Sequence, residues 1–380
     1  MLRLLRWAMV QRQHLLVFGD PGTAKTAVCD RVYEGIYDAE KFHIELAMFM
    51  GDDAVFGPYD IRKMKEDGIL EHRTEGMLPE ADLARLGEFL DGSMPLLRSL
   101  LSSLNERRLR RGTQIVDMPL VTVFCDTNKH PGEFLKKNSY AWAVLDRLLF
   151  ITEVKYLETD DELFRMVRSF QNCQGVDVKD RIPLDLIHNL SELVVAPPTL
   201  IRDELIMIKY AQAAREYRER RREAIKSNDW KVILPEVSDR RIAIASQMLE
   251  VSAVLDGRLY VEPSDLLNVA DALGSTPEEH DLWREIAEGK IEEIHAEKMQ
   301  QLDHAQKVAI NSIMEQADRV DLHGDVKLAV GDLKVLQQSL GDVVPENDDV
   351  AEFKERAATK VSEMIEQLRQ RALAEAGLHS

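Results

Sequence analysis

Eight consecutive residues carry the clearest chemical signal in the chain: Gly19, Asp20, Pro21, Gly22, Thr23, Ala24, Lys25 and Thr26. They follow a short apolar run, Leu15–Phe18, and open a segment of helical character. In that strand–loop–helix context, successive backbone N–H groups and a helix N-terminus form a cradle for phosphate. Lys25 adds a cation for the β and γ oxygens of a nucleotide, and Thr26 offers a hydroxyl to Mg2+. The chemistry predicted is ATP binding with Mg2+ as the accompanying metal. Ala24 stands where the general pattern has glycine. Its methyl is acceptable if the residue takes helical dihedrals, which is the expectation.

Such a loop needs a sheet beneath it. Residues 1–155 alternate helical stretches with apolar runs at Leu15–Phe18, His43–Ala47, Leu83–Leu86, Val121–Cys125 and Leu148–Val154. Apolar runs separated by helices predict a parallel sheet covered on both faces. From Asp160 the periodicity is helical only. Thr199–Ala224 reads as one long helix, and Ser238–Asp256 as another, with Ser238 as N-cap and Gly257 as its stop. Pro263 to Asp265 opens a shorter one. Beyond about residue 276 the chain is highly charged, with stripes at Trp283, Ile286, Ile291 and Ile294 and at Val361, Met364, Ile365 and Leu368. Gly324 and residues 341–348 read as turns. A bundle, a coiled coil and a docking arm all fit this last pattern.

Composition narrows the function classes. A chain of 380 residues exceeds what one compact core usually holds, which predicts two or three domains. A net charge of −18 argues against broad binding to a nucleic-acid backbone, which needs clustered cations. Cys29, Cys125 and Cys173 lack CxxC or Cys/His spacing, so they read as buried thiols in a reducing compartment. No HExxH or paired histidine spacing is present. Residues 2–10 read as an amphipathic helix, because Arg3 and Arg6 break the apolar run of a signal peptide. No stretch reaches the roughly 18 apolar residues of a membrane span. The expectation is a soluble, cytoplasmic protein.

With alanine before its lysine, Gly19–Thr26 resembles the MoxR group of AAA+ ATPases. The likeness continues through Val55–Pro58, Gly76–Ala81, Leu101–Arg107, Asn128–Pro131, Leu145–Arg147, Val237–Arg241 and Gly257–Asp265. The Ser-Asp-Arg-Arg form at residues 238–241 is closest to the RavA-like branch. The match spans about residues 1–275 and leaves out the last hundred. It implies an α/β fold: a P-loop AAA+ αβα sandwich with a parallel five-stranded sheet (1–155), an all-α lid (156–275) and a C-terminal helical region (276–380). It further implies a homo-hexameric ring with ATP held between neighbours, and chaperone-like remodelling of a protein client. A von Willebrand factor A domain protein is the partner such ATPases often act with.

Family position gives Asn128 the polar-sensor role at the end of the fourth core strand. Arg147 corresponds to a finger that reaches the neighbour's ATP, where an arginine stabilises charge on the transferring phosphoryl. Arg240 matches the lid sensor, with Arg241 beside it as a substitute. Residues 48–80 correspond to an insertion around the second helix, and 106–119 to a hairpin. In that hairpin Arg107, Arg108, Arg110 and Arg111 form either a basic collar or an ordinary solvated surface. Met48 and Met50 either pack or contact a client.

One element departs from the family. The Walker B strand reads as four apolar residues followed by Asp-Glu, the Asp helping to hold Mg2+ and the Glu polarising water. Here it is Leu83-Ala84-Arg85-Leu86-Gly87-Glu88. Only Glu88 keeps its role. Three readings stand: the metal is held by Thr26, phosphates and water; Asp82 or Asp91 substitutes; or the chain is an ATP-gated scaffold that hydrolyses poorly. A chelatase-type motor is a further alternative for the whole chain.

Overall fold

In the computed structural model, residues 1–138, 141–172, 181–195, 203–227, 230, 232–322 and 324–375 are described. Cys173 and the first residues of the helix expected from Thr199 lie outside them. The contacts divide the chain into two compact units, Met1–Ile291 and Glu292–Ser380.

Among the described residues nine strands occur in chain order: β1 (Leu15–Phe18), β2 (Ile36–Tyr37), β3 (Lys41–Glu45), β4 (Leu83–Gly87), β5 (Arg108–Arg111), β6 (Gln114–Asp117), β7 (Thr122–Thr127), β8 (Phe150–Glu153) and β9 (Ile182–Pro183). Five of them form the parallel sheet expected, in the order β3-β4-β7-β1-β8. β1, β4 and β7 are buried along their whole length. That is why they read as continuous runs rather than as an alternation. β3 lies at an edge and alternates, so its pairing starts two residues before the apolar run suggested, with Lys41 opposite Leu83. Because all five strands are parallel, the loops after β1, β4 and β7 leave from one edge of the sheet.

The hairpin β5–β6 forms as expected. Its arginines are already partnered: Arg107 donates to the Leu120 carbonyl at 2.9 Å, Arg108 pairs with Asp117, Arg110 with Glu106 and Arg111 with Asp52. That arrangement is a paired surface rather than a free basic collar. In the 48–80 insertion, Val55, Phe56 and Leu78 join the core and Met50 packs against it. Met48 stays 64% exposed and Phe49 97%.

The helices after Asp160 begin with Asp160–Asn172, Leu184–Val195 and Glu204–Lys226. The stretch expected as one helix from Ser238 is two, Asp239–Ala245 and Met248–Leu255. Between them the Gln247 and Leu249 amides turn back to Ile244 and Ser246, three residues away rather than four. Ser238 caps the first through the Arg241 amide at 3.0 Å, and Gly257, with φ +75°, ends the second. Pro263–Val269 is a 3-10 turn. The carboxylate of Asp265, 1% exposed, receives the Arg258 fork at 3.0 and 2.7 Å, the Ser252 hydroxyl at 2.7 Å and the Glu262 amide at 2.8 Å. A charge so deeply placed needs that many donors. Trp283, fully buried, lies against Tyr210 and Tyr217 and donates to the Leu266 carbonyl at 2.7 Å.

In the second unit, residues of Pro277–Asp318, Val326–Asp342 and Asp348–Glu375 share a core that includes Ile310, Leu333, Leu340, Val361 and Leu368. Of the three readings of this region, packed helices are what the chain forms. The stripe at Val361, Met364, Ile365 and Leu368 is its buried face. No helix among the described residues is long and apolar enough to cross a membrane.

Candidate functional site

The loop after β1 begins at Gly19, φ +149°, where a Cβ would overlap the Val154 carbonyl, so only glycine fits. Gly22 is also at positive φ, +83°. Ala24 has φ +60° and ψ +21°. The expectation of ordinary helical dihedrals is therefore corrected: Ala24 takes the left-handed conformation natural to the glycine it replaces. For an L-residue this costs roughly 1–2 kcal/mol. The turn demands it because the next residue already begins helix Lys25–Glu34.

Lys25 is 6% exposed. Its ammonium donates to the carbonyls of Gly19 at 2.8 Å and Asp20 at 2.9 Å, to the Thr23 hydroxyl at 3.3 Å and to Asn128 Oδ1 at 3.1 Å. The Asn128 amide in turn donates to Glu88 Oε1 at 2.6 Å. A hydrogen-bonded line thus runs from the P-loop lysine through the loop after β7 to the residue after β4. Glu88 has φ +47°, a left-handed conformation that aims the backbone sharply out of the strand. Burial pushes its carboxyl above the usual range, and neighbouring carboxylates reinforce this against the Asn128 hydrogen bond.

Thr26 hydrogen bonds to Asp126 Oδ2 at 3.2 Å. Asp126 is on buried β7, and burial raises its carboxyl, opposed by Arg85. Arg85, the residue that seemed to break a core strand, is 8% exposed and held by three carboxylates. Its contacts are 2.7 Å to Glu45, 3.3 Å to Asp126 and 3.3 Å to Asp30. Hydroxyl and carboxylate oxygens of this kind suit a hard cation such as Mg2+. No group of three or more His, Cys, Asp or Glu side chains among the described residues is arranged to hold a metal by itself.

Neither acidic substitute considered for Gly87 is placed for that task. Asp82 stands before β4, at the opposite edge of the sheet, and caps the Glu40 amide at 2.8 Å. Asp91 is paired with Lys129. Asp126, Glu45, Asp30 and Tyr156 were not legible as site residues. Tyr156 donates its hydroxyl to the Pro21 carbonyl at 2.7 Å, bracing the loop from the segment after β8. The available signal was Asp126 itself, a carboxylate in an otherwise apolar run two residues before Asn128.

Arg147 and Arg240 lie together elsewhere. Arg147 donates to the Ala143 carbonyl at 2.8 Å, and Arg240 to the Asn105 side chain. Burial lowers the Arg240 guanidinium, and the charge of Arg147 adds to it. Among the described residues, the hydrogen bonds of the two arginines go to Ala143 and Asn105 and not to the P-loop, Glu88 or Asn128 of the same chain. Arg241, the substitute considered for the lid sensor, is 1% exposed and bonds the carbonyls of Ala272 at 2.9 Å, Leu148 at 3.1 Å and Leu149. It ties the lid to the end of the sheet and is not free to meet a ligand. Asp146, accepting from the Ser238 hydroxyl at 3.0 Å, makes the same tie.

Residues 1–192 match the family model for the MoxR domain of MoxR–vWA–β-propeller ternary systems, and residues 218–287 match an AAA lid domain. Two uncharacterised proteins of Methanocaldococcus jannaschii are similar. One is 25% identical over 68% of this chain and 62% of its own length, the other 29% identical over 42% and 41%. A structural protein of Acidianus two-tailed virus is 26% identical over 41% of this chain and 26% of its own. The chain thus spans less than two thirds of these curated relatives. A crystal structure of a proposed ATPase from Cytophaga hutchinsonii shares the fold, with TM-score 0.56 and 15% identity over 77% of this chain and 88% of the other. The five-stranded order, the P-loop and the two family models agree: the chain belongs to the MoxR family of AAA+ ATPases.

Proposed function

We propose that the chain binds MgATP at Gly19–Thr26 and hydrolyses it, as one subunit of a six-membered ring, to remodel a protein client in a chaperone-like manner. The observation that carries this reading is the line Lys25–Asn128–Glu88. It brings a phosphate-binding cation, a polar sensor and a carboxylate for the attacking water to one edge of the sheet. When ATP is bound, the Lys25 ammonium exchanges loop carbonyls for phosphate oxygens, and the freed Asn128 carbonyl oxygen can accept from the attacking water. Glu88 orients that water and takes its proton. Mg2+, with Thr26 as a ligand, supplies charge neutralisation at the phosphates.

Arg147 and Arg240 feel one another's charge, and their hydrogen bonds go to Ala143 and Asn105 rather than to their own P-loop, which supports a role for both on a neighbour's ATP. The name of the matched family model favours a partner with a von Willebrand factor A domain, and a β-propeller protein with it. The exposed Met48 and Phe49 are where we expect a client to touch. A cytoplasmic location is part of the same proposal. The alternative, an ATP-gated scaffold, is favoured by one observation, the glycine at position 87.

Phosphate release under an Mg2+ titration tests this, together with binding of a fluorescent ATP analogue. Lys25→Ala should abolish both. Glu88→Gln should keep binding and lose turnover by about 10²–10⁴-fold, the usual contribution of a positioned base. If wild type releases no more phosphate than Glu88→Gln, the scaffold reading replaces the motor. Mass measurement with and without ATP tests the ring, and a monomer in both conditions removes the role in trans for Arg147.

A further inference from the structure

The site holds its acidic groups in an arrangement that the sequence order conceals. Glu45 on β3 is paired in register with Gly87 on β4, and Leu86 with Cys125 on β7, so Gly87 and Asp126 follow at one level. Side chains at one level of a parallel sheet project from the same face, about 4.8 Å apart from strand to strand. Glu45, Gly87 and Asp126 therefore make one row across three neighbouring strands, with a gap in the middle where Gly87 has no side chain. The Glu45 carboxylate leans into that gap: a Cβ on Gly87 would overlap it. On the other side, Asp126 reaches the Thr26 hydroxyl at 3.2 Å. Arg85 stands one step back on the same face, two residues before Gly87. It binds Glu45 Oε1 at 2.7 Å and Asp126 Oδ1 at 3.3 Å, so one guanidinium spans the row.

We propose that Asp126 is the protein carboxylate that faces Mg2+ in this chain, the acidic group having moved one strand sideways from position 87 to β7. Glu45 fills the vacated space, and Arg85 is the positioning residue that holds the two carboxylates. The inference rests on the MgATP reading above.

The geometry supports Asp126 over Glu45. Asp126 is the carboxylate already bonded to Thr26, and its side chain is 8% exposed, against 56% for Glu45. A buried, fixed oxygen next to the metal-binding hydroxyl is preorganised in a way a solvated side chain is not. The charge count points the same way. Three carboxylates, those of Asp30, Glu45 and Asp126, face one guanidinium. That leaves an excess of negative charge, with the buried Asp126 at its inner end, for a divalent cation to neutralise.

The experiment exchanges the carboxylate between strands in the full-length chain. Affinity for a non-hydrolysable fluorescent ATP analogue is measured with Mg2+ and with EDTA, and Mn2+ binding to the analogue-loaded protein is followed by electron paramagnetic resonance. In wild type the analogue should bind more tightly with Mg2+. Asp126→Asn should bind it as wild type does in EDTA, which also reports an intact P-loop and fold. It should lose the Mg2+ enhancement and bind Mn2+ about 10–100-fold more weakly. Adding Gly87→Asp to Asp126→Asn should restore Mn2+ binding, since the exposed end of Glu45 can swing aside. Unchanged Mn2+ affinity in Asp126→Asn overturns the inference, as does loss in Glu45→Gln alone. A wild type that binds the analogue equally with Mg2+ and EDTA also overturns it while leaving nucleotide binding intact. Failure to bind the analogue in either condition overturns the MgATP reading itself.

Discussion

The two ends of the parallel sheet treat polar groups in opposite ways. At the end where the strands begin, two buried side chains, His14 and Thr122, are matched by neutral backbone groups. His14 Nε2 bonds the Leu104 carbonyl at 3.1 Å, and its Nδ1 accepts from the Val123 amide at 3.1 Å, which fixes the neutral tautomer. Thr122 donates to the Gln13 carbonyl at 2.6 Å. At the end where the strands finish, carboxylates outnumber cations around Arg85, and Glu88 and Asp126 are held above their ordinary range by burial. Left-handed residues occur at both ends with different uses. Arg12 and Arg107 follow helices that have ended, whereas Ala24 and Glu88 precede helices that begin. At one end His14 and Thr122 are matched by backbone groups; the other gathers strain and charge at the proposed nucleotide site, the usual balance between stability and activity.

Four measurements on the ligand-free chain test that contrast. The largest effect belongs to the end where the strands begin. Burial, then the charge of Arg107, pulls His14 down to about 4 from its ordinary 6.5. The folded state therefore binds fewer protons than the unfolded one between those values. Its stabilisation is complete above pH 6.5 and lost as pH falls towards 4, by about 3 kcal/mol. Denaturant midpoints across that window should show the loss, and the slope should flatten in His14→Gln. Thr122→Val leaves the Gln13 carbonyl without its donor and should cost about 1–2 kcal/mol.

At the end where the strands finish the sign reverses. Ala24→Gly releases the left-handed strain but gains unfolded-state entropy, so it should stabilise by about 0.5–1 kcal/mol. The smallest effect is expected for Asp126→Asn. Because burial raises the Asp126 carboxyl in the folded state, its ionised form costs stability at neutral pH, and that cost fades as pH falls through the folded value. The variant should melt no lower than wild type at pH 7 without Mg2+, with the difference shrinking on acidification. Destabilisation by both Ala24→Gly and Asp126→Asn would abolish the contrast between the ends.

Much of this was legible in residue order. The strand runs, the P-loop and the Ser238 cap are local signals, set by burial period, turn chemistry and spacing over a few residues, whereas the hairpin was expected from the family resemblance. Other features lie beyond local signals. The apolar pattern from Ser238 continues across the turn at Ser246 and Gln247 and hides the break there. Ala24 gives no sign of its left-handed backbone. Nothing in the sequence tells which of the two adjacent arginines, Arg240 or Arg241, is buried. It took the lid's closure over Leu148 and Leu149 to decide that.

The sequence by itself determined a phosphate-binding loop with Lys25 and Thr26, a parallel sheet to carry it, and the absence of an acidic residue at position 87. Those follow from adjacent residues, and local chemistry acts over such distances. Only the tertiary structure shows which carboxylate lies beside Thr26. Asp126 lies 39 positions after Gly87 in the sequence and one strand away in space. Sheet register, set by the burial of both strands, is what brings that carboxylate to Thr26.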